Sequence, residues 1–131
     1  MRVIVTGSRN WGGIYGADRI HKVLEALHIL AAVLGQKLVL VHGDGLGADH
    51  IVDGWARRRD SDGVEVETFP ANWGMYKKYA GPIRNQAMVD RGADLCIGFC
   101  RGTSAGTRHT MALARNANIP TYVINWEETI E

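Results

Sequence analysis

Hydroxyls and small residues crowd the stretch from Phe99 to Thr110, which reads FCRGTSAGTRHT. Gly102 and Gly106 bracket Thr103 and Ser104, and Thr107 follows at once. The stretch comes after an apolar run and before a segment of helical spacing, so it is expected to turn a strand into a helix. Such a turn presents unpaired backbone N–H groups at the positive end of a helix, which suits an anion and phosphate above all. Arg101 and Arg108 flank it and would add charge to a phosphate pocket or meet a dimer partner reaching over it. His109 is the one histidine placed for chemistry, and no histidine falls in a metal-ligand spacing.

Three further groups carry chemistry-bearing residues. Gly7, Ser8 and Arg9 follow the first apolar run, where a hydroxyl and a guanidinium could grip phosphate or ribose. His42, Gly43, Asp44 and Gly45 follow the second. Asp44 lies between two glycines, as a carboxylate for chemistry or as a turn residue bonding its own backbone. His42 would bond either a ligand or a backbone carbonyl. Asp49 reads as a helix-start residue favoured by the dipole, and Asp53 as a solvated helix residue. Arg84 and Asn85 open a later helix, on whose first turn a cation gains nothing from the dipole, so a ligand or interface role is expected for Arg84. Trp73, Tyr76 and Tyr79 either stack on a base, with Lys77 and Lys78 neutralising phosphate, or pack on the core.

Alternating strands and helices must position these groups. Residues 2–6, 38–41, 64–69, 94–98 and 121–125 read as strands, the third near a sheet edge. Apolar residues from Ile20 to Leu34 recur at helical spacing, and a second helix follows His42–Gly47. Residues 70–82 read as irregular, with Pro82 as the first residue of the next helix, and the helix after the Gly/Thr turn ends near Asn118. Repeated strand–helix units imply an α/β, Rossmann-like three-layer sandwich: a five-stranded parallel sheet in order 3-2-1-4-5 with helices on both faces. That order reverses the chain direction between strands one and four. Ligands bind at the carboxyl ends of the strands there, where all three glycine-containing loops converge.

Composition narrows the classes. The 131 residues make one domain, 1–131, with no internal repeat, and the charged tail after Trp126 is expected to fray. A formal charge of +1 gives no general electrostatic case for nucleic acid. Cys96 and Cys100 are too few for a disulfide framework and lack a second pair for zinc. No apolar run spans a membrane and no signal peptide is evident, so a cytoplasmic location is expected. Trp11, Trp55 and the apolar helix faces are expected to leave surface for a dimer.

The segments VTGSR, HGDGLGAD, GPIRNQAMVDRGAD and GTSAGT occur in this order. The ordered set resembles the SLOG superfamily, which joins the DNA-processing protein A, the lonely-guy cytokinin phosphoribohydrolases and many stand-alone nucleotide-binding domains. Over nearly the whole chain it is most similar to the small YspA/cpYpsA-related branch. The resemblance implies a nucleotide or nucleoside-phosphate ligand, no required cofactor or metal, a homodimer or higher homo-oligomer, and relatives in bacteria and phages tied to nucleotide signalling. In lonely-guy enzymes an arginine and a PGGxGTxxE loop support cleavage of an N-glycosidic bond. Arg84 matches the arginine, and Gly102, Gly106 and Thr107 match the loop. Thr110 stands in place of the catalytic glutamate, and Arg101 occupies the neighbourhood of the missing proline. Cleavage passes through a cationic sugar, which a carboxylate stabilises and a threonine does not.

The expectation is therefore a protein that binds a nucleotide, an ADP-ribose-like signal among the options, as a sensor or sequestering protein. Its ligand contacts would be Gly7, Ser8, Arg9, Gly43, Asp44, Gly45, Arg84, Asn85, Gly102, Thr103, Ser104, Gly106 and Thr107. A phosphoribohydrolase releasing base and ribose 5-phosphate is the alternative, with Arg84, Asp44 and His109 as its catalytic candidates. A single-stranded DNA-binding module is the third, which the near-neutral charge opposes.

Overall fold

Strands β1 (Arg2–Gly7), β2 (Leu38–His42), β3 (Val64–Thr68), β4 (Leu95–Cys100) and β5 (Thr121–Asn125) form one parallel sheet in order β3-β2-β1-β4-β5 in the computed structural model, which describes residues 1–127. Every neighbouring pair is parallel. The connections run through helices α1 (Gly13–Val33), α2 (Ala48–Arg57), α3 (Trp73–Tyr76), α4 (Ala80–Asp90) and α5 (Ala105–Asn116). The fold is the expected Rossmann-like α/β architecture, with the expected strand order. Among the described residues, no helix is long and apolar enough to cross a membrane. The part of the tail after Glu127, expected to fray, lies outside the described residues.

Continuous apolar strands follow from covering both faces of the sheet. Val3 and Val5 of β1 face one core with Ile20, Leu24, Val52, Trp55 and Phe99. Ile4, between them, faces the other core with Val41, Met88, Cys96 and Met111. Burial pushes the Cys96 thiol up to about 11, so it packs as a small hydrophobe.

Several boundaries differ from expectation, each for a physical reason. Helix α1 starts at Gly13 rather than near Ile20, because its first turns are fixed by Trp11 instead of an apolar stripe. The Trp11 ring is fully buried, edge-on to Phe99 and Trp126, and donates through Nε1 to the Gly16 carbonyl at 2.8 Å. A Cβ on Gly16 would crowd both tryptophan rings. Strand β4 runs on to Cys100, which shortens the Gly/Thr loop. Helix α5 ends at Asn116, and Asn118 takes a left-handed conformation, φ 61°.

Residues 70–82 are more regular than expected. Asn72 caps the single turn α3 by accepting the Met75 N–H at 3.1 Å, a 3₁₀ turn spans Lys77–Tyr79, and Pro82 is the third residue of α4 rather than its first. Proline fits there because the first-turn N–H groups have no intrahelical acceptor. Arg84 is accordingly one turn into the helix.

Trp11 and Trp55 do not supply a dimer surface, since both are buried within the chain. Trp55 donates to Glu25 at 3.1 Å and lies beneath the Arg59 guanidinium, 4.3 Å from its ring centre.

Packing is tightest where β1 meets α2. A Cβ on Gly7 would overlap the Ala48 methyl and press on Phe99. Gly7→Ala is expected to destabilise the fold by about 1–3 kcal/mol. Gly54→Ala, inside α2 with only the tip of Arg58 nearby, is expected to stabilise it by about 0.5–1 kcal/mol. Urea denaturation of the two variants against the parent checks both signs.

Candidate functional site

The carboxyl ends of β1, β2 and β4 open into a cleft of about 680 Å³. Its lining includes Gly7, Ser8 and Arg9 from the first loop and Gly43, Asp44 and Gly45 from the second. Gly102, Thr103, Ser104, Gly106 and Thr107 come from the fourth strand's loop, and Arg84 and Asn85 from α4. The residues expected around a ligand thus surround one space. His109 does not line it.

Backbone bonds hold the loops together at Ser8. Its N–H donates to the Phe99 carbonyl at 2.9 Å, and its carbonyl accepts from Trp11 at 3.2 Å and Ala48 at 3.3 Å. Its hydroxyl accepts the Arg101 N–H at 2.8 Å. Ser8 is therefore committed to architecture more than the sequence implies. Its neighbour Arg9 is exposed and has no hydrogen-bond or ion-pair partner among the described residues.

The Gly/Thr loop has the form of an anion turn. Gly102 takes a left-handed φ of 69°, and Ser104 precedes α5 without capping it. Instead the Ser104 hydroxyl donates to Thr107 Oγ1 at 2.6 Å. The N–H groups of Ala105, Gly106 and Thr107 precede the helical ladder and are left for an external acceptor. Thr110 takes no part: it is buried, and its hydroxyl donates back to the Gly106 carbonyl at 3.2 Å.

Arg84 bridges the second loop and α4. Its Nη1 donates to the Gly43 carbonyl and its Nε to Asn85 Oδ1, the latter at 2.7 Å. A Cβ on Gly43 would strike that guanidinium, so glycine is required by the contact. Asn85 Nδ2 lies 3.1 Å from His109 Nδ1, which accepts from it and so carries its own proton on Nε2. His109 braces Asn85 from α5 rather than facing the cleft. Burial lowers the Arg84 pKa, Asp49 opposes that, and the charge of Arg9 adds to the lowering. Two arginines, Arg9 and Arg84, thus line the one cleft.

The carboxylates also depart from expectation. Asp44 is exposed with a left-handed φ of 57°, and its N–H donates to His42 Nδ1 at 2.9 Å. The opposite ring nitrogen of His42 therefore carries the proton and donates to Asp53 at 2.9 Å. Asp53, expected to be solvated, is held between His42 and Arg57, whose Nε donates to it at 2.6 Å. Asp49 sits in the first turn of α2 as expected, yet its side chain is buried in the cleft wall. It accepts the Gly45 N–H at 3.1 Å, while Oδ1 has no partner among the described residues. Burial pushes its carboxyl above the ordinary range, against the pull of His42, the Gly45 N–H and Arg84. Sequence reasoning missed this group because a helix-start aspartate carries no mark of which way it faces.

Of Trp73, Tyr76 and Tyr79, only Trp73 lines the cleft, with Pro70 and Ala71 also in its lining. Tyr76 and Tyr79 are exposed elsewhere, and Lys78 lies over the Tyr79 ring at 5.2 Å.

A five-stranded parallel sheet with its cleft at the switch point defines a Rossmann-like α/β architecture. Residues 1–76, from β1 through α3, match the YspA, cpYpsA-related SLOG family. The Gene 61 protein of Mycobacterium phage D29 is 43% identical over 127 residues, 95% of each chain, so the similarity also covers α4 and α5. The chain belongs to this SLOG family, and membership points to a nucleotide-related function.

The His42–Asp53 pair supports the second loop through the Asp44 N–H. Burial raises the Asp53 carboxyl, but the bonds from Arg57 and His42 outweigh it and hold the group below its ordinary value. A lowered carboxylate contributes stability above its unfolded value of 3.8 and loses it as pH falls through the lower folded value. Asp53→Ala is expected to cost about 1–3 kcal/mol at neutral pH by stranding the buried His42 N–H. Denaturation curves across pH should show the gap to the parent narrowing below 3.8.

Proposed function

We propose that this protein binds a nucleotide or nucleoside phosphate in the cleft and acts as a sensor or sequestering protein. The carrying observation is the convergence of Arg9 and Arg84 beside the uncapped first turn of α5. Two cations and a set of unpaired N–H groups around one space call for an anion. Phosphate would sit on residues 102–107, with Arg9 and Arg84 closing on it. Family membership supports the nucleotide portion of the reading.

Binding without cleavage is favoured because the first turn of α5 offers hydroxyls and N–H groups but no carboxylate, Thr110 being turned back onto Gly106. One observation favours the hydrolytic alternative, a phosphoribohydrolase releasing free base: Asp49 has a raised pKa and a partnerless oxygen in the cleft wall. Single-stranded DNA binding has no comparable support, since the net charge is +1.

A thermal-shift screen against nucleoside monophosphates, ADP-ribose, NAD and cyclic dinucleotides, with mass spectrometry of each mixture, tests the proposal. A ligand at about 100 times its Kd adds about 2.7 kcal/mol to the folded state and raises Tm. Recovery of the stabilising ligand intact is expected. Recovery as base plus ribose phosphate, abolished by Asp49→Asn, establishes the hydrolase instead.

Gly106→Asp sharpens the test. A Cβ there meets nothing within 4 Å, and a carboxylate at a helix N-terminus is favourable, so the variant folds at least as stably as the parent. It is expected to lose nucleotide binding by about tenfold or more through repulsion of phosphate. Arg9→Glu should behave likewise. Unchanged affinity in both variants places the phosphate elsewhere.

A further inference from the structure

The walls of the cleft differ in chemistry. The anion turn opens α5, whereas Pro70, Ala71 and Trp73 line a wall carried by the segment after β3, with the Trp73 ring beside Gly81 and the Arg84 guanidinium. A ligand anchored by phosphate on the anion turn therefore meets an apolar wall elsewhere in the same cleft.

Trp73 is seated for such a contact. Its ring edge rests on Gly81 of α4, where a Cβ would already stand 3.4 Å from the ring, and Asn72 fixes the turn that carries it. The side chain is nevertheless 51% exposed, at the cleft wall. A lone exposed aromatic is ordinary on a protein surface. Here the neighbouring Tyr76 and Tyr79 are the ordinary cases, because they are exposed outside the cleft. Of the three, Trp73 alone combines exposure, a seat and a place on the cleft wall.

We infer that Trp73 stacks on the base of the bound nucleotide and orients it with the base against α3 and the phosphate toward α5. This rests on the nucleotide-binding reading above and adds the base subsite to it. Stacking uses the π-face that every base presents, so Trp73 confers preference for a base over no base rather than for one base among four.

The test titrates AMP, GMP, CMP and UMP, and ribose 5-phosphate as the base-free control, into the parent, Trp73→Ala, Trp73→Phe and Gly106→Asp. Trp73→Ala is expected to weaken each nucleotide by about tenfold and Trp73→Phe to restore most of that loss. Ribose 5-phosphate, where it binds, changes less than about twofold. Nucleotides should quench the tryptophan emission of the parent, and Trp73→Phe should remove most of the quenching. Unchanged nucleotide affinity in Trp73→Ala, with loss in Gly106→Asp, overturns the stacking and leaves the binding function standing. Equal weakening of nucleotides and ribose 5-phosphate also overturns it, because Trp73 then only shapes the cleft. A parent protein that binds none of the four nucleotides overturns stacking on a nucleoside monophosphate, and the binding function falls with it only if ADP-ribose, NAD and the cyclic dinucleotides also fail to bind.

Discussion

The site depends first on Ser8, where three loops that are far apart in sequence are tied by main-chain hydrogen bonds. Its N–H reaches Phe99 on β4, its carbonyl receives the first N–H of α2, and its hydroxyl receives Arg101. So close an approach is possible only because the flanking backbone is bare. A Cβ on Gly7 would meet Ala48, and one on Gly47, at a left-handed φ of 69°, would strike the Ser8 and Arg9 carbonyls. Buried polar groups that are fully paired resist displacement, since each lost bond leaves an uncompensated donor or acceptor. The mouth of the sheet is thus preorganised, and Arg9 is presented from a rigid base.

A second set of bonds braces the remaining wall through side chains. Arg84 holds the Gly43 carbonyl, Asn85 links it to His109 on α5, and Asp53 orients His42 toward the Asp44 N–H. These contacts divide the polar groups of the cleft into those already paired and those still open. Ser8, Asn85 and His42 belong to the first class. The exposed Arg9, the Asp49 Oδ1 and the initial N–H groups of α5 belong to the second, among the described residues. Residue type alone therefore overstates how many polar groups of the cleft are unpaired.

Much of the fold was legible because its signals are local. Runs such as Val3–Ile4–Val5 admit little but a buried strand, and helical segments between them force parallel crossovers. The glycine loops were legible for the same reason, since their place follows from the strand order. What was not legible is set by contacts across the chain. The start of α1 depends on Trp11 meeting Phe99 and Trp126, and the burial of Trp55 on Glu25 and Arg59. Asp49 and Asp53 stand four residues apart on one helix and look alike in sequence. One enters the cleft wall and the other meets His42 only because β2 delivers its histidine beneath the second.

Charge is distributed unevenly across the cleft, and that asymmetry limits what it can hold. The α5 side offers helix N–H groups and hydroxyls but no carboxylate, with the Thr110 hydroxyl folded back on Gly106. Acceptors stand on the β2 side, where Asp44 and Asp49 are carried by the second loop and α2. A carboxylate beside the anion turn would repel phosphate, whereas one displaced toward β2 can accept from hydroxyl groups without opposing it. On the proposed reading, a molecule with an anion at one end and hydroxyl donors beyond it, such as a ribose phosphate, matches this division. Asp49 holds its place there at the expense of burial, with Oδ2 accepting the Gly45 N–H and Oδ1 buried without a partner among the described residues. On the proposed reading, Asp44 and Asp49 are the cleft carboxylates that could stabilise a cationic transition state. Binding and cleavage then differ in how the cleft uses a carboxylate oxygen: as the acceptor of a stable hydrogen bond, or as the partner of a transient charge.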